Sequence, residues 1–335
     1  MATAPPAYDN MRAIVRDRYG SPDVLELKDI AKPLVDADGV LVRVRAASVN
    51  AADWHLLRGR PFLVRILTGL RKPKSTAVGV DLAGIVEAVG RNVTEFRPGD
   101  EVLGHGGGAF AEYVCAGENN FVLKPANLSF EQAAAVPMAG STALQALQKG
   151  RIQPGQKVLI NGAAGGVGTF AVQIAKSLGA DVTGVCSTRN VDMVRSIGAD
   201  HVVDYTKDDF TRSARRYDVM VDMAGNHSLS ACRRVLRADG VLVSVGSAGG
   251  PDQQPSSVAT LVGLLGTLIV SRFTRQRLLP FLAKFRKEDL VALKKLIEAG
   301  KVTPVVDTRY PLGAVPAALR HLETGHARGK VVITF

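Results

Sequence analysis

The chain has 335 residues, with 42 Lys and Arg against 31 Asp and Glu, a formal net charge of +11, and 46% hydrophobic residues. These proportions exclude a disordered or fibrous chain and suit about two domains, each with its own core. Three cysteines occur, Cys115, Cys186 and Cys232. They are far apart and form no C-x-x-C, so neither a disulfide scaffold nor a cysteine-rich zinc site is expected, and a reducing, cytoplasmic setting is the default. Residues 1–10 contain no apolar core and no arginine, so no secretory or transit signal is read there. The longest apolar run, residues 258–270, is too short to span a bilayer unaided.

In chain order, residues 11–15 begin a strand pattern, and residues 40–44 alternate apolar and polar as a half-buried strand does. Residues 78–90 and 96–102 follow, with Pro98-Gly99-Asp100 read as a hairpin turn, and residues 104–114 continue the pattern. Short strands separated by turns predict a small β-barrel over about the first 130 residues. Residues 130–147 read as a helix broken by Pro137 and Gly140. Strands at 157–161, 181–186, 201–204, 217–222 and 241–245 then alternate with helices at 166–178, 191–197 and 229–236. That rhythm predicts a doubly wound parallel sheet. A helix at 288–298 and a strand at 330–335 close the chain, the strand returning to the first domain. No internal repeat is present.

Two basic clusters stand out: Arg58, Arg60, Arg65, Arg71, Lys72 and Lys74, then Arg272, Arg275, Arg277, Lys284, Arg286 and Lys287. Such fields attract nucleotides, acidic substrates, nucleic acid or anionic lipid, or are solvated basic surface. No nucleic-acid-binding motif accompanies them, so no specific nucleic acid is expected as a partner. The run 258–270 is expected to line a substrate cleft or subunit interface, with a core helix or a membrane contact as alternatives.

The strand at 157–161 runs into Gly162-Ala-Ala-Gly-Gly-Val-Gly168 and then into a helix. A glycine turn that opens a helix within a βαβ series is a dinucleotide site: helix N–H groups face the pyrophosphate, and missing side chains admit it. The second strand, 181–186, ends in Ser187-Thr-Arg189 with no Asp or Glu to bind both ribose hydroxyls. Ser187 and Arg189 suit a 2′-phosphate instead, so NADPH is the expected cofactor.

The run Gly155-Gln156, Leu159, Ala163-Ala164-Gly165-Gly166-Val167-Gly168, Gln173 and Lys176 resembles the quinone oxidoreductase signature of the medium-chain dehydrogenase/reductase superfamily. Gly79-Val-Asp-Leu-Ala-Gly84, Arg97-Pro-Gly-Asp100, residues 199–205 and the ending Gly325-His-Ala-Arg-Gly-Lys330 extend the resemblance, the last toward the reticulon-interacting, zeta-crystallin-like NADPH reductases. It implies an α/β protein: a GroES-like β-barrel catalytic domain over 1–130 completed by 277–335, and a Rossmann domain over 131–276.

The resemblance also implies a zinc-free enzyme. Gly79-Val80-Asp81 stands where zinc relatives carry Gly-His-Glu, and neither Val49-Asn50 nor residues 138–142 supply the cysteine ligands. Asp81 reads as a hydrogen-bonding residue at the barrel edge. His105 is a turn histidine or a substrate contact, and Tyr113 a core residue or a proton donor. Val49-Asn50-Ala-Ala-Asp53 matches the family's V-N-x-x-D pattern beside the nicotinamide, with Asn50 donating from its amide, Asp53 orienting it and Thr142 nearby; a plain turn and a helix cap are the alternatives. Cofactor contacts are implied at Ala164, Gly165, Gly166, Val167, Gly168, Ser187, Arg189, Tyr205, Val245, Gly246, Ala327, Gly329 and Lys330. The expected activity is hydride transfer from NADPH to a quinone or another α,β-unsaturated carbonyl, with a homodimer as the expected assembly. An enoyl thioester reductase, or an NADPH-binding regulatory or RNA-binding protein, is the alternative.

Overall fold

The computed structural model describes residues 9–245 and 274–335. Gly246 and the apolar run 258–270 lie outside the described residues, and the expectations attached to them with it.

An all-parallel six-stranded sheet organises the second half. Its strands are β8 (Lys157–Asn161), β9 (Asp181–Cys186), β10 (His201–Asp204), β11 (Tyr217–Asp222), β12 (Leu236–Val245) and β13 (Arg277–Phe281). The order is β10-β9-β8-β11-β12-β13. This is the doubly wound dinucleotide-binding order, in which the progression of strands across the sheet reverses between β8 and β11 and ligands bind beyond the strands' carboxyl ends at that point. Val158, Leu159, Ile160, Val219, Met220, Val221 and Val243 are buried, as strands covered on both faces require. β13 pairs in parallel with β12. Residues 277–281 therefore belong to this sheet and not to the barrel, which corrects the boundary placed at 276. β12 also starts five residues before the predicted strand at 241, through a register shift against β11.

The first half forms a seven-stranded sheet of β3 (Gly39–Ser48), β4 (Asp81–Val89), β5 (Glu101–His105), β6 (Tyr113–Gly117), β7 (Phe121–Leu123), β14 (Val306–Pro311) and β15 (Lys330–Thr334). β15 pairs antiparallel with β3, so the end of the chain closes the barrel. β1 (Asn10–Arg16) and β2 (Leu25–Ala31) make a separate antiparallel ribbon. Val40, Val42, Val44, Leu82, Val102, Phe110, Phe121 and Ile333 fill the barrel core.

The helices are α1 (Ala51–Arg58), α2 (Phe62–Thr68), α3 (Phe130–Ala134), α4 (Pro137–Gly150), α5 (Gly166–Ser177), α6 (Val191–Ser196), α7 (Leu229–Arg234), α8 (Lys287–Glu298) and α9 (Val315–Glu323). Pro137 separates α3 from α4 because it stands in the first turn of α4, where its missing N–H costs nothing. Gly140 does not interrupt α4, contrary to the sequence reading. A Cβ there would meet Leu293 of α8 at 3.0 Å, so the glycine serves helix–helix approach. α1 and α2 lie between β3 and β4, where the sequence reading placed no element.

Candidate active site

Three neighbouring strands bring the first group of residues together by register alone. Ser48 pairs with Asp81 across β3 and β4, and Asp81 with His105 across β4 and β5. Asp81 is completely buried. Its Oδ2 accepts from Ser48 Oγ at 3.4 Å, Asn50 Nδ2 at 3.1 Å and the Met138 N–H at 3.0 Å. Its Oδ1 lies 3.1 Å from His105 Nδ1. The sequence view of Asp81 as a hydrogen-bonding edge residue agrees with this geometry.

Asn50 is the N-cap of α1, and Asp53 Oδ2 accepts its backbone N–H at 2.8 Å. Asp53 holds the main chain of Asn50, and the Asn50 amide group instead donates to Ser48 O at 3.2 Å and to Asp81. The Asn50 carbonyl oxygen accepts from Lys330 Nζ at 2.5 Å, and Lys330 also donates to Val49 O at 3.0 Å. Both Asn50 amide hydrogens are thereby occupied, and the group with a donor to spare is the three-hydrogen ammonium of Lys330.

Burial sets the charges here. It pushes the Asp53 carboxyl up to about 7, with Asp81 adding to the effect and Asn50 and Lys330 opposing it. It also lowers the Lys330 ammonium from its ordinary value, against the pull of Asp81 and Asp53. Thr142 is buried in α4, one turn beyond Met138 and so on the same helix face. It sits inside the helix, not at its cap. His105 is buried at the end of β5 against the ring of Phe285, centroids 4.1 Å apart, and its Nε2 has no hydrogen-bond partner. It is therefore no turn histidine. Tyr113 lies elsewhere on the barrel, under Lys32 at 3.9 Å, which places it away from this group.

The glycine turn meets the same residues from the other side. Gly165 is the N-cap of α5, directly beyond β8. A Cβ on Gly165 would meet only Gly162 O, at 3.6 Å, leaving open space before the helix N-terminus; one on Gly168 would meet Gly162 O at 2.1 Å. Gly168 thus lets the turn fold back on itself, and Gly165 leaves a cradle. The Gly329 N–H donates to Ala164 O at 2.9 Å, and Gly165 bridges Gly329. A Cβ on Gly166 would reach Lys330 Cδ at 2.9 Å. Lys330 therefore stands between the helix N-terminus and the buried carboxylates. An open cradle at a helix start, located at the switch point of the sheet, fits a dinucleotide pyrophosphate.

Ser187 and Arg189 follow β9, where Arg189 Nη2 donates to His326 O at 2.5 Å and Ser187 Oγ accepts from Asn190 at 3.2 Å. Ala327 packs on the barrel core just before Gly329. Tyr205 is exposed past β10, and Val245 ends β12. Sequence reasoning missed Asp204, which pairs with Cys186 across β10 and β9 and so brings an acid to the strand end where none was read. Thr188 donates to it at 2.6 Å and Thr206 at 2.8 Å, and these bonds hold its carboxyl below the usual range. Among the described residues no group of three or more His, Cys, Asp or Glu side chains is placed to hold a metal ion.

A family model described as alcohol dehydrogenase GroES-like domain matches residues 36–126, and one described as zinc-binding dehydrogenase matches residues 197–333. The chain is 34% identical to the 2-methylene-furan-3-one reductase of Solanum lycopersicum, over 96% of this chain and 79% of that one. It is 33% identical to the NADPH-dependent alkenal/one oxidoreductase of Arabidopsis thaliana, with the same coverage. The solved structure of the quinone oxidoreductase from Coxiella burnetii superposes with a TM-score of 0.85 at 31% identity, over 98% of this chain and all of that one. With the parallel sheet, the glycine turn and the barrel assembled as above, the chain belongs to the medium-chain dehydrogenase/reductase superfamily, among its quinone and alkenal oxidoreductases.

Proposed function

We propose that the protein catalyses the NADPH-dependent reduction of a conjugated carbonyl, a quinone or an α,β-unsaturated aldehyde or ketone. One observation carries this reading. Gly329 and Lys330 join the cradle of α5 to a buried Lys–Asn–Asp cluster, so a dinucleotide laid along the sheet edge brings its reactive end beside the Lys330 side chain. When bound, NADPH supplies the hydride.

Gly166, Val167 and Gly168 would present backbone N–H groups to the pyrophosphate, with the Gly165 N–H given to Gly162 O at 3.2 Å and Ala164 fixed by Gly329. Ser187, Arg189 and Tyr205 hold the adenosine phosphate, while Asp204 is restrained by its threonine partners. Val245 and Ala327 line the path. Lys330, oriented by Asn50 and Val49, directs its remaining N–H toward the oxygen on which negative charge develops. Thr142 adds a hydroxyl from the facing helix. A conjugated acceptor suits this equipment because it spreads that charge over several atoms before one oxygen takes it.

The test is NADPH absorbance with a quinone, an alkenal, the saturated aldehyde of equal length and an enoyl thioester. Turnover of the first two and not the third is expected. Turnover of an enoyl thioester alone would transfer the protein to that class. A cytoplasmic setting is part of the proposal; the free thiols of Cys115, Cys186 and Cys232 suit a reducing compartment. Among the described residues no helix is long and apolar enough to cross a membrane.

A further inference from the structure

Between Asp53 and Asp81 the chain contains no acid and six cations. Two of these are engaged: Arg58 pairs with Glu323 at 2.7 Å, and Arg65 lies over Tyr19 and donates to Gly59 O. Arg60, Arg71, Lys72 and Lys74 are exposed. The same stretch exposes Phe62 by 57%, Ile66 by 54%, Leu67 by 74% and Leu70 by 60%. Phe62 and Ile66 are one turn apart on α2, so they share a face. Tyr19 anchors the end of α2 through Thr68 Oγ1 at 2.8 Å and Gly69 O at 2.7 Å. The apolar side chains are therefore held out from the barrel by an anchored element.

We infer that α2 and the loop through Lys74 form a docking surface for anionic lipid. Protein interfaces concentrate aromatic and apolar residues at a core depleted of charge. Here large apolar groups alternate with cations along one short stretch, the composition of an element lying at a lipid–water boundary with its apolar face among the acyl chains. Arg71, Lys72 and Lys74 line a shallow depression with Asp17, Pro73 and Thr76. Its one acid, Asp17, already faces Lys28 at 3.5 Å, so the depression offers excess positive charge to headgroup phosphates. α1 connects this surface to the site: Asn50 and Asp53 stand at its first turn and the docking element follows its last. Docking so arranged places the active-site half of the protein on the phase that dissolves apolar acceptors. The inference does not depend on which acceptor is reduced.

The experiment is co-sedimentation of the full chain with vesicles of phosphatidylcholine alone and of equal parts phosphatidylcholine and phosphatidylglycerol. Wild type is expected to pellet with the mixed vesicles, less with the neutral ones, and less in ~0.5 M salt. Phe62→Ser with Leu67→Ser should lower partition at least tenfold on both. Arg71→Ser, Lys72→Ser and Lys74→Ser together should lower partition on the mixed vesicles roughly 100-fold, about fivefold per cation, with little change on neutral ones. Unaltered sedimentation of either variant, or a wild type that stays in the supernatant, overturns the inference. Full competition by millimolar inorganic phosphate marks a free-anion site and also overturns it. Light scattering covers the remaining occupant. A wild-type dimer that becomes monomeric in Phe62→Ser/Leu67→Ser assigns the surface to a second copy of the chain and rejects lipid.

Discussion

Lys330 Nζ donates to Asn50 Oδ1 at 2.5 Å across 280 residues of sequence. The bond ties the strand that ends the chain to the N-cap of α1, one residue after Gly329 has bonded the glycine turn. Lys330 is thus the common element of the cofactor cradle and the buried carboxylates.

Lys330→Met removes the cation and leaves Val49 O and Asn50 Oδ1 without their donor. Stability should fall by about 1–3 kcal/mol, and kcat/KM for a quinone by ~100-fold or more. Thermal unfolding and steady-state NADPH oxidation measure the two effects separately. A loss of stability with kcat/KM unchanged would make Lys330 a structural residue only.

Gly165 and Gly168 should separate cofactor binding from folding. Gly165→Ala places a Cβ in open space, with Gly162 O at 3.6 Å, so the melting temperature should hold while NADPH binding weakens. Gly168→Ala drives a Cβ to 2.1 Å from Gly162 O and should destabilise the turn itself, by ~1–3 kcal/mol or more. Fluorescence titration of NADPH beside thermal melts distinguishes the pair.

Asp53 gives a pH dependence of definite sign. Burial raises its carboxyl from 3.8 to about 7. Between about pH 4 and about 7 the folded chain keeps a proton that the unfolded chain releases, so this group's contribution to stability falls as pH rises through that window, by ~4 kcal/mol at most. Asp53→Asn should flatten that part of the profile while its side-chain oxygen still accepts the Asn50 N–H. Denaturant midpoints at the two ends of the window, compared between wild type and variant, provide the check.

Ser187→Ala with Arg189→Ala should weaken NADPH binding about 10- to 150-fold and leave NADH nearly unchanged. Asp204→Asn should shift preference further toward NADPH by removing the one carboxylate at that strand end. Equal losses for both cofactors in the double variant would refute the assignment.

Much of the fold could be read locally. The glycine turn between β8 and α5, and the alternation of buried strands with helices, announce the doubly wound sheet because both are short-range signals. α1 and α2 were not read, since they are short and α2 has the exposed apolar face of a surface element; the Asn50-x-x-Asp53 spacing was the capping signal available for α1. The cluster around Asp81 was only partly legible. Asn50 and Asp53 could be singled out, but their roles could not. The hydrogens of Asn50 are assigned by Ser48, two residues before it, and by Asp81, which reaches it only through strand register. Asp204 was missed for the same reason, because it stands on the neighbouring strand rather than at the end of β9. The boundary at 276 failed because nothing in the sequence of residues 277–281 tells which sheet edge they will join.

The central claim is hydride transfer from NADPH to a conjugated carbonyl at the site centred on Lys330. NADPH absorbance recorded with wild type and Lys330→Met, against a quinone and against a saturated aldehyde, tests it most directly. The account predicts rapid NADPH consumption by wild type with the quinone, little with the aldehyde, and at least a hundredfold lower kcat/KM with the quinone in the folded variant. No consumption with quinone or alkenal by wild type that binds NADPH would contradict it.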